Sequence, residues 1–183
     1  MVVNLDKIDL CFINNFITNL QSNKKTAKLV NLTLSNNNIS DVEVLSKLTT
    51  LQKLNISNNK IQDITPIKTN VSIDTLNISG NSIENIDILN QLQSVRTLNM
   101  ANNLIQDITP ITNLSLTSLD ISGNRITNIE PIKTQTGLID LYINNNKIDD
   151  VSAIEQLLLR GTFEAKQQKI TKILDQDATG TIT

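Results

Sequence analysis

Histidine is absent from this 183-residue chain. That removes the commonest general base, the imidazole metal ligand and every nucleophile–histidine pair. Cys11 is the sole cysteine, so neither an internal disulfide nor a thiolate zinc site can form. Tryptophan is missing and aromatics are only 2%. A core here must come from many similar aliphatic contacts, not from a few large rings. No apolar run approaches the roughly 20 residues that cross a bilayer as a helix. The start, MVVNLDKIDLC, lacks a basic segment followed by an apolar stretch, so it does not read as a secretory leader. Lys plus Arg number 16 against 18 Asp plus Glu, and no basic block exceeds Lys24-Lys25. The electrostatic footprint of a nucleic-acid binder is therefore missing. These gaps lead us to expect no cofactor, no metal, no nucleic acid and no membrane insertion.

What is present is repetition. The template L-x-x-L-x-L-x-x-N-x-I-x-D-I-x-x-L recurs with a period near 22. It fits residues 29–50, 51–72, 73–94, 95–115, 116–137 and 138–159, the unit 95–115 being one residue shorter. Self-similarity at such a period is the mark of a solenoid. The expected organisation is an N-terminal capping region with a degenerate repeat over 1–28, six repeats over 29–159, and a degenerate repeat with a polar tail over 160–183. Residues 8–20 align on 30–42 without a gap, which makes Leu10 and Phe12 inward strand positions. Helical spacing of Leu5, Ile8, Phe12, Phe16 and Leu20 supports a capping helix instead; the strand reading is preferred. At the other end Phe163, Ala165, Gln168 and Ile170 hold the register, with Gln in place of Asn.

Numbering positions within the unit makes the physical logic plain. Side chains alternate across a strand, so in LNIS Leu54 and Ile56 point inward and Lys53, Asn55 and Ser57 outward. One unit cannot bury its apolar face alone, and stacking supplies the core. Asn recurs at position nine as Asn37, Asn59, Asn81, Asn103, Asn124 and Asn146. There the chain turns inward, and an amide can donate and accept at once. An interior asparagine ladder outweighs a ligand role by far. Position thirteen carries Asp41, Asp63, Asp107 and Asp150, with Asn85 and Asn128, and suits the cap of a short helical turn. Pro66, Pro110 and Pro131 all fall at position sixteen, where a fixed φ helps and no N–H is needed. The back of each unit is expected to be turn or 3₁₀, because only about six residues separate it from the next strand.

This pattern resembles the leucine-rich-repeat family. DITPI at 63–67 and 107–111 is similar to the 22-residue class of bacterial internalins and phosphatase-regulator-like proteins. The resemblance spans about residues 7–170. It implies an α/β-type solenoid, a curved right-handed superhelix with a parallel β-sheet on its concave face and turns or 3₁₀ segments on its convex face. It also implies that function sits on the residues the template leaves free. Position three offers Asp9, Asn31, Lys53, Thr75, Thr97, Ser118, Asp140 and Thr162. Position five offers Cys11, Thr33, Asn55, Asn77, Asn99, Asp120, Tyr142 and Glu164. Position seven offers Ile13, Ser35, Ser57, Ser79, Ala101, Ser122, Asn144 and Lys166.

The expected role is a non-catalytic module that docks a partner protein on this face. The candidate residues are Lys53, Asn55, Asn77, Arg96, Asn99, Asp120, Asp140, Tyr142 and Glu164, with the sole tyrosine as anchor. Set against this, a solvated sheet face is the bland reading for any one of them. The rival class is a structural or self-assembling spacer, such as part of an internalin-like surface adhesin. A monomer is expected, with end-to-end association as that rival's signature. The start of the chain points inside the cell, whereas DITPI and the entry in mid-repeat point to a piece of a surface protein. An enzyme is disfavoured, since no phosphate loop, triad or metal cluster appears. The tail DQDATGTIT holds half of an EF-hand loop and stops before its bidentate Glu, a poor calcium site. Sequons at Asn31, Asn38, Asn55, Asn70, Asn77 and Asn113 follow simply from Asn- and Ser-rich repeats. Cys11 reads as an inert thiol.

Overall fold

The computed structural model describes residues 2–4, 29–155, 157 and 161–168. Eight parallel strands lie side by side in chain order. They are β1 (Val2–Asn4), β2 (Asn31–Thr33), β3 (Lys53–Asn55), β4 (Thr75–Asn77), β5 (Thr97–Asn99), β6 (Ser118–Asp120), β7 (Asp140–Tyr142) and β8 (Phe163–Glu164). The middle residues Leu32, Leu54, Leu76, Leu98, Leu119 and Leu141 pair in one row and are all buried. Each three-residue strand is too short to stand alone; register across the whole sheet holds it.

The strands line the concave face of a curved solenoid, and the return path runs through short 3₁₀ turns, as expected. These span Glu43–Lys47, Thr65–Thr69, Asp87–Gln91, Thr109–Ile111, Glu130–Thr134 and Ser152–Ile154. All three prolines sit early in such a turn, where the missing N–H has no partner to lose. The residue at position thirteen accepts from the N–H two residues on. Asp63 Oδ1 receives Thr65 N–H at 2.7 Å, Asn85 Oδ1 receives Asp87 N–H at 2.8 Å, and Asp107 Oδ1 receives Thr109 N–H at 2.7 Å. Between sheet and turns runs one continuous aliphatic core from Leu29 to Leu157. Each fully buried Leu or Ile in it contributes about 1.5–3 kcal/mol against the entropy of ordering the chain.

The asparagine ladder crosses from unit to unit. Asn59 Nδ2 donates to the Leu34 carbonyl of the preceding unit at 2.9 Å, and to its own Ile56 and Ser57 carbonyls at 3.1 and 3.0 Å. Its Oδ1 accepts the Ile39 N–H at 3.0 Å. Asn81, Asn103, Asn124 and Asn146 repeat the pattern. Gln168 takes the same place at the end, donating to the Ile143 carbonyl and accepting the Ile148 N–H.

Gln135 repairs the short unit. Elsewhere the residue opening a unit donates its N–H to the position-twenty carbonyl three residues earlier, as Leu51 does to Leu48, Ile73 to Asn70 and Val95 to Leu92. The residue missing from unit 95–115 falls in this stretch, leaving Leu116 only two residues from Leu114. The Leu116 N–H is caught instead by Gln135 Oε1 at 3.0 Å, from the following turn. Gln135 Nε2 also donates to the Ile111 carbonyl at 2.8 Å.

One expectation is corrected. The strand beside β2 is Val2–Asn4, with Val3 opposite Leu32. The ungapped alignment of 8–20 on 30–42 would have set Asp9 and Cys11 there. A valine pair favours strand strongly, and alignment of a degenerate end unit has no physical hold on which segment reaches the edge. Residues 5–28, with Cys11, Phe12, Ile13 and Phe16, lie outside the described residues, as does the tail 175–183.

Candidate binding face

Position three and position five form two rows across the sheet. The first runs Asn31, Lys53, Thr75, Thr97, Ser118, Asp140; the second runs Thr33, Asn55, Asn77, Asn99, Asp120, Tyr142, Glu164. Eight of the nine candidate residues lie in these rows. Lys53 is exposed and the others in them are half-buried. Tyr142 stands between Asp120 on β6 and Glu164 on β8.

Arg96 is different. It precedes β5, and its Nη1 donates to the Gln93 and Val95 carbonyls at 2.9 and 3.0 Å. The guanidinium is thus tied to its own turn at the sheet margin, off the rows.

Position five has a structural task that its sequence conceals. Asn55 Oδ1 accepts both the N–H and the hydroxyl of Ser57, at 3.0 and 2.7 Å. Asn77 does the same for Ser79. Asn99 Oδ1 takes the Ala101 N–H at 3.0 Å, and Asp120 Oδ1 the Ser122 N–H at 3.0 Å. These Asx turns end each strand. In position seven, Ser57 and Ala101 are buried, at 5% and 4% exposed, while Ser79 and Ser122 are half-buried.

Position eight was the least legible. Asn36, Asn58, Asn102, Asn145 and Gln167 all have positive φ, as do Gly80 and Gly123. Each is the left-handed residue that turns the chain from strand to interior, and Asn and Gly tolerate it best. Asn58 fills one of these turns, and its Nδ2 donates to Asn36 Oδ1 at 3.0 Å. The signal was in the sequence, because only Asn or Gly fills position eight in all six repeats.

Asp140 and Asn144 bind the last described strand. Asp140 Oδ1 accepts the Thr162 N–H at 2.7 Å. Asn144 Oδ1 accepts the Lys166 N–H at 2.6 Å, and its Nδ2 donates to Glu164 Oε2 at 2.9 Å. On the convex side, Thr127, Asn128, Ile129, Glu130, Asp149 and Asp150 line an open groove. No group of three or more acidic or sulfur ligands able to hold a metal occurs among the described residues. Nor is any helix among them long and apolar enough to cross a membrane.

A parallel sheet of short strands, an interior amide ladder and a 3₁₀ return path together form a recognisable unit. The family Leucine Rich repeats (2 copies) matches residues 27–69, 71–113 and 114–156. The chain is a leucine-rich-repeat protein. No curated protein is similar enough in sequence to match it. Solved structures are. An internalin of Listeria monocytogenes (InlF) is 29% identical with a TM-score of 0.71, covering 90% of this chain and 46% of that one. Internalin C2 of the same species is 30% identical with a TM-score of 0.70, covering 79% and 63%. A leucine-rich-repeat protein of Leptospira interrogans is 26% identical with a TM-score of 0.72, covering 80% and 39%. This leucine-rich-repeat chain therefore spans about half to three-fifths of the internalins it resembles. Leucine-rich-repeat domains are generally protein-interaction modules, and typically scaffolds without catalytic activity.

Proposed function

We propose that this leucine-rich-repeat chain docks a partner protein on its concave sheet, across β5 to β7, with Tyr142 as the anchor. The observation that carries this is the row Asn99, Asp120, Tyr142. It puts the only tyrosine of the chain on a polar sheet face, half-exposed, between acceptor-bearing neighbours. An aromatic ring with a polar tip is the kind of group on which interface energy concentrates. The stiff scaffold presents it with little ordering left to lose on binding. The module acts by holding a partner, not by chemistry.

A photo-crosslinking amino acid at Thr97 or Ser118, with Tyr142 kept, compared with one at the convex positions Lys68 and Gln91, tests this in extract of the source cells. A discrete adduct from the concave positions alone is expected. Equal or exclusively convex adducts would overturn the reading.

A further inference from the structure

The two rows are chemically polarised along the solenoid. Asn55, Asn77 and Asn99 each offer Oδ1 to a backbone N–H, at 3.0, 3.1 and 3.0 Å. An N–H can only donate, so the atom facing it must be oxygen, and the orientation of each amide is decided. Each Nδ2 is left over, and none of the three makes a hydrogen bond among the described residues. With Lys53, the face over β3–β5 therefore presents donors and a cation. Over β6–β8 the same rows turn to Asp120, Asp140 and Glu164, around Tyr142. The two ion pairs among the described residues, Arg125–Glu84 and Lys133–Glu130, lie outside these rows. Among the described residues, neither Lys53 nor the row carboxylates form an ion pair.

Resting on the concave-docking reading, we infer that the partner is a polypeptide segment of matching polarity laid across the strands. Its acidic side chain and carbonyl oxygens lie over Lys53, Asn55, Asn77 and Asn99. Its Lys or Arg sits on the ring of Tyr142, flanked by Asp120 and Asp140. A cation over an aromatic face with carboxylates beside it gains from both contacts. Lys53 and Asp140 share one row four strand spacings apart, about 19 Å at the usual spacing of parallel strands. An extended segment covers that in about six residues. The charge pattern of the face thus sets the direction in which the segment runs.

The test uses the full chain as bait for a randomised 12-residue peptide library, with sequencing of the enriched pool. Asp120→Asn and Asp140→Asn are the discriminating variants. Asn99 shows that an amide makes the same turn as Asp120, and Asp140→Asn keeps the Oδ1 that accepts Thr162 N–H. Thr97→Arg blocks the centre of the face. The expected pool carries an acidic and a basic residue about six apart. Its binding is lost in Thr97→Arg and weakened about tenfold in the double Asp→Asn variant, with steep salt dependence. Binders lost in Thr97→Arg but indifferent to the Asp→Asn changes would overturn the polarity and leave concave docking standing. Binders indifferent to Thr97→Arg, or no enriched binder at all, would overturn both.

Discussion

The side chain of Asn58 lies across Gly80. A Cβ on Gly80 would overlap Asn58 Oδ1, and Gly80 also has φ +65°. Asn102 and Gly123 repeat the relationship in the second half of the array. Glycine is thus required twice over at each place, by conformation and by the carboxamide stacked from the preceding unit.

Gly80→Ala should lower stability by about 1–3 kcal/mol, combining left-handed strain with displacement of Asn58. Adding Asn58→Gly removes the overlap and leaves the strain, so it should restore part of the loss. Urea denaturation of the three proteins measures it. An unchanged midpoint in Gly80→Ala would show that the turn relaxes freely.

Asn103 is the test of the ladder. It is 5% exposed, donates to the Ile78 and Met100 carbonyls at 3.0 and 3.1 Å, and holds the Ile83 N–H at 3.0 Å. Asn103→Ala strands the Ile83 donor. With the cavity added, a loss of about 2–4 kcal/mol is expected. Because stability in such arrays passes between neighbours, hydrogen exchange should accelerate first in the units on either side of Asn103.

Position twenty gives two substitutions of opposite sign. Leu48, Leu92, Leu114 and Leu157 fill it elsewhere. Asn70 is 0% exposed, and its Oδ1 has no partner. Its amide donates to the Leu45 and Leu48 carbonyls, but these also receive the Leu48 and Leu51 N–H groups. Asn70→Leu therefore leaves no carbonyl bare and should stabilise by about 1 kcal/mol. Gln135→Leu orphans the Leu116 N–H and should destabilise by about 1–3 kcal/mol. Thermal melts of the two variants side by side decide the matter.

Acid should loosen the turns. The Thr65 hydroxyl, and then its N–H, hold the Asp63 carboxyl below its usual pKa; Thr109 does the same for Asp107. A group with a depressed folded-state pKa adds stability above its unfolded pKa, and that increment is lost as pH falls through the folded value. Stability should therefore decline below about pH 4, where free carboxyls begin to protonate. Asp63→Asn with Asp107→Asn keeps the acceptor and removes the titration, as Asn85 and Asn128 already do in their units. The double variant should show a flatter acid limb in urea midpoints taken from pH 6 to 3.

Much of this was legible because a repeat averages its own noise. Leu54, Ile56, Asn59, Asp63 and Pro66 each recur in register, and each recurrence states one physical requirement: bury, bury, bridge, hold the N–H two residues on, fix φ. The binding face was legible only as a remainder. Asn55 looked free because nothing in a sequence shows that its oxygen reaches the Ser57 N–H. Arg96 looked available because only the folded turn brings the Gln93 and Val95 carbonyls to its guanidinium.

The sequence by itself determined the solenoid, its strand register and its interior, since those follow from periodic burial and need no knowledge of neighbours beyond the repeat. Tertiary structure decided what lies at the irregularities. It set Val2–Asn4 beside β2, turned Gln135 into the repair of a shortened unit, and fixed which way the amides of Asn55, Asn77 and Asn99 face. The first two outcomes depend on contacts between residues about 20 or more apart; the third depends on an N–H two residues on, whose approach to the side chain no local pattern announces.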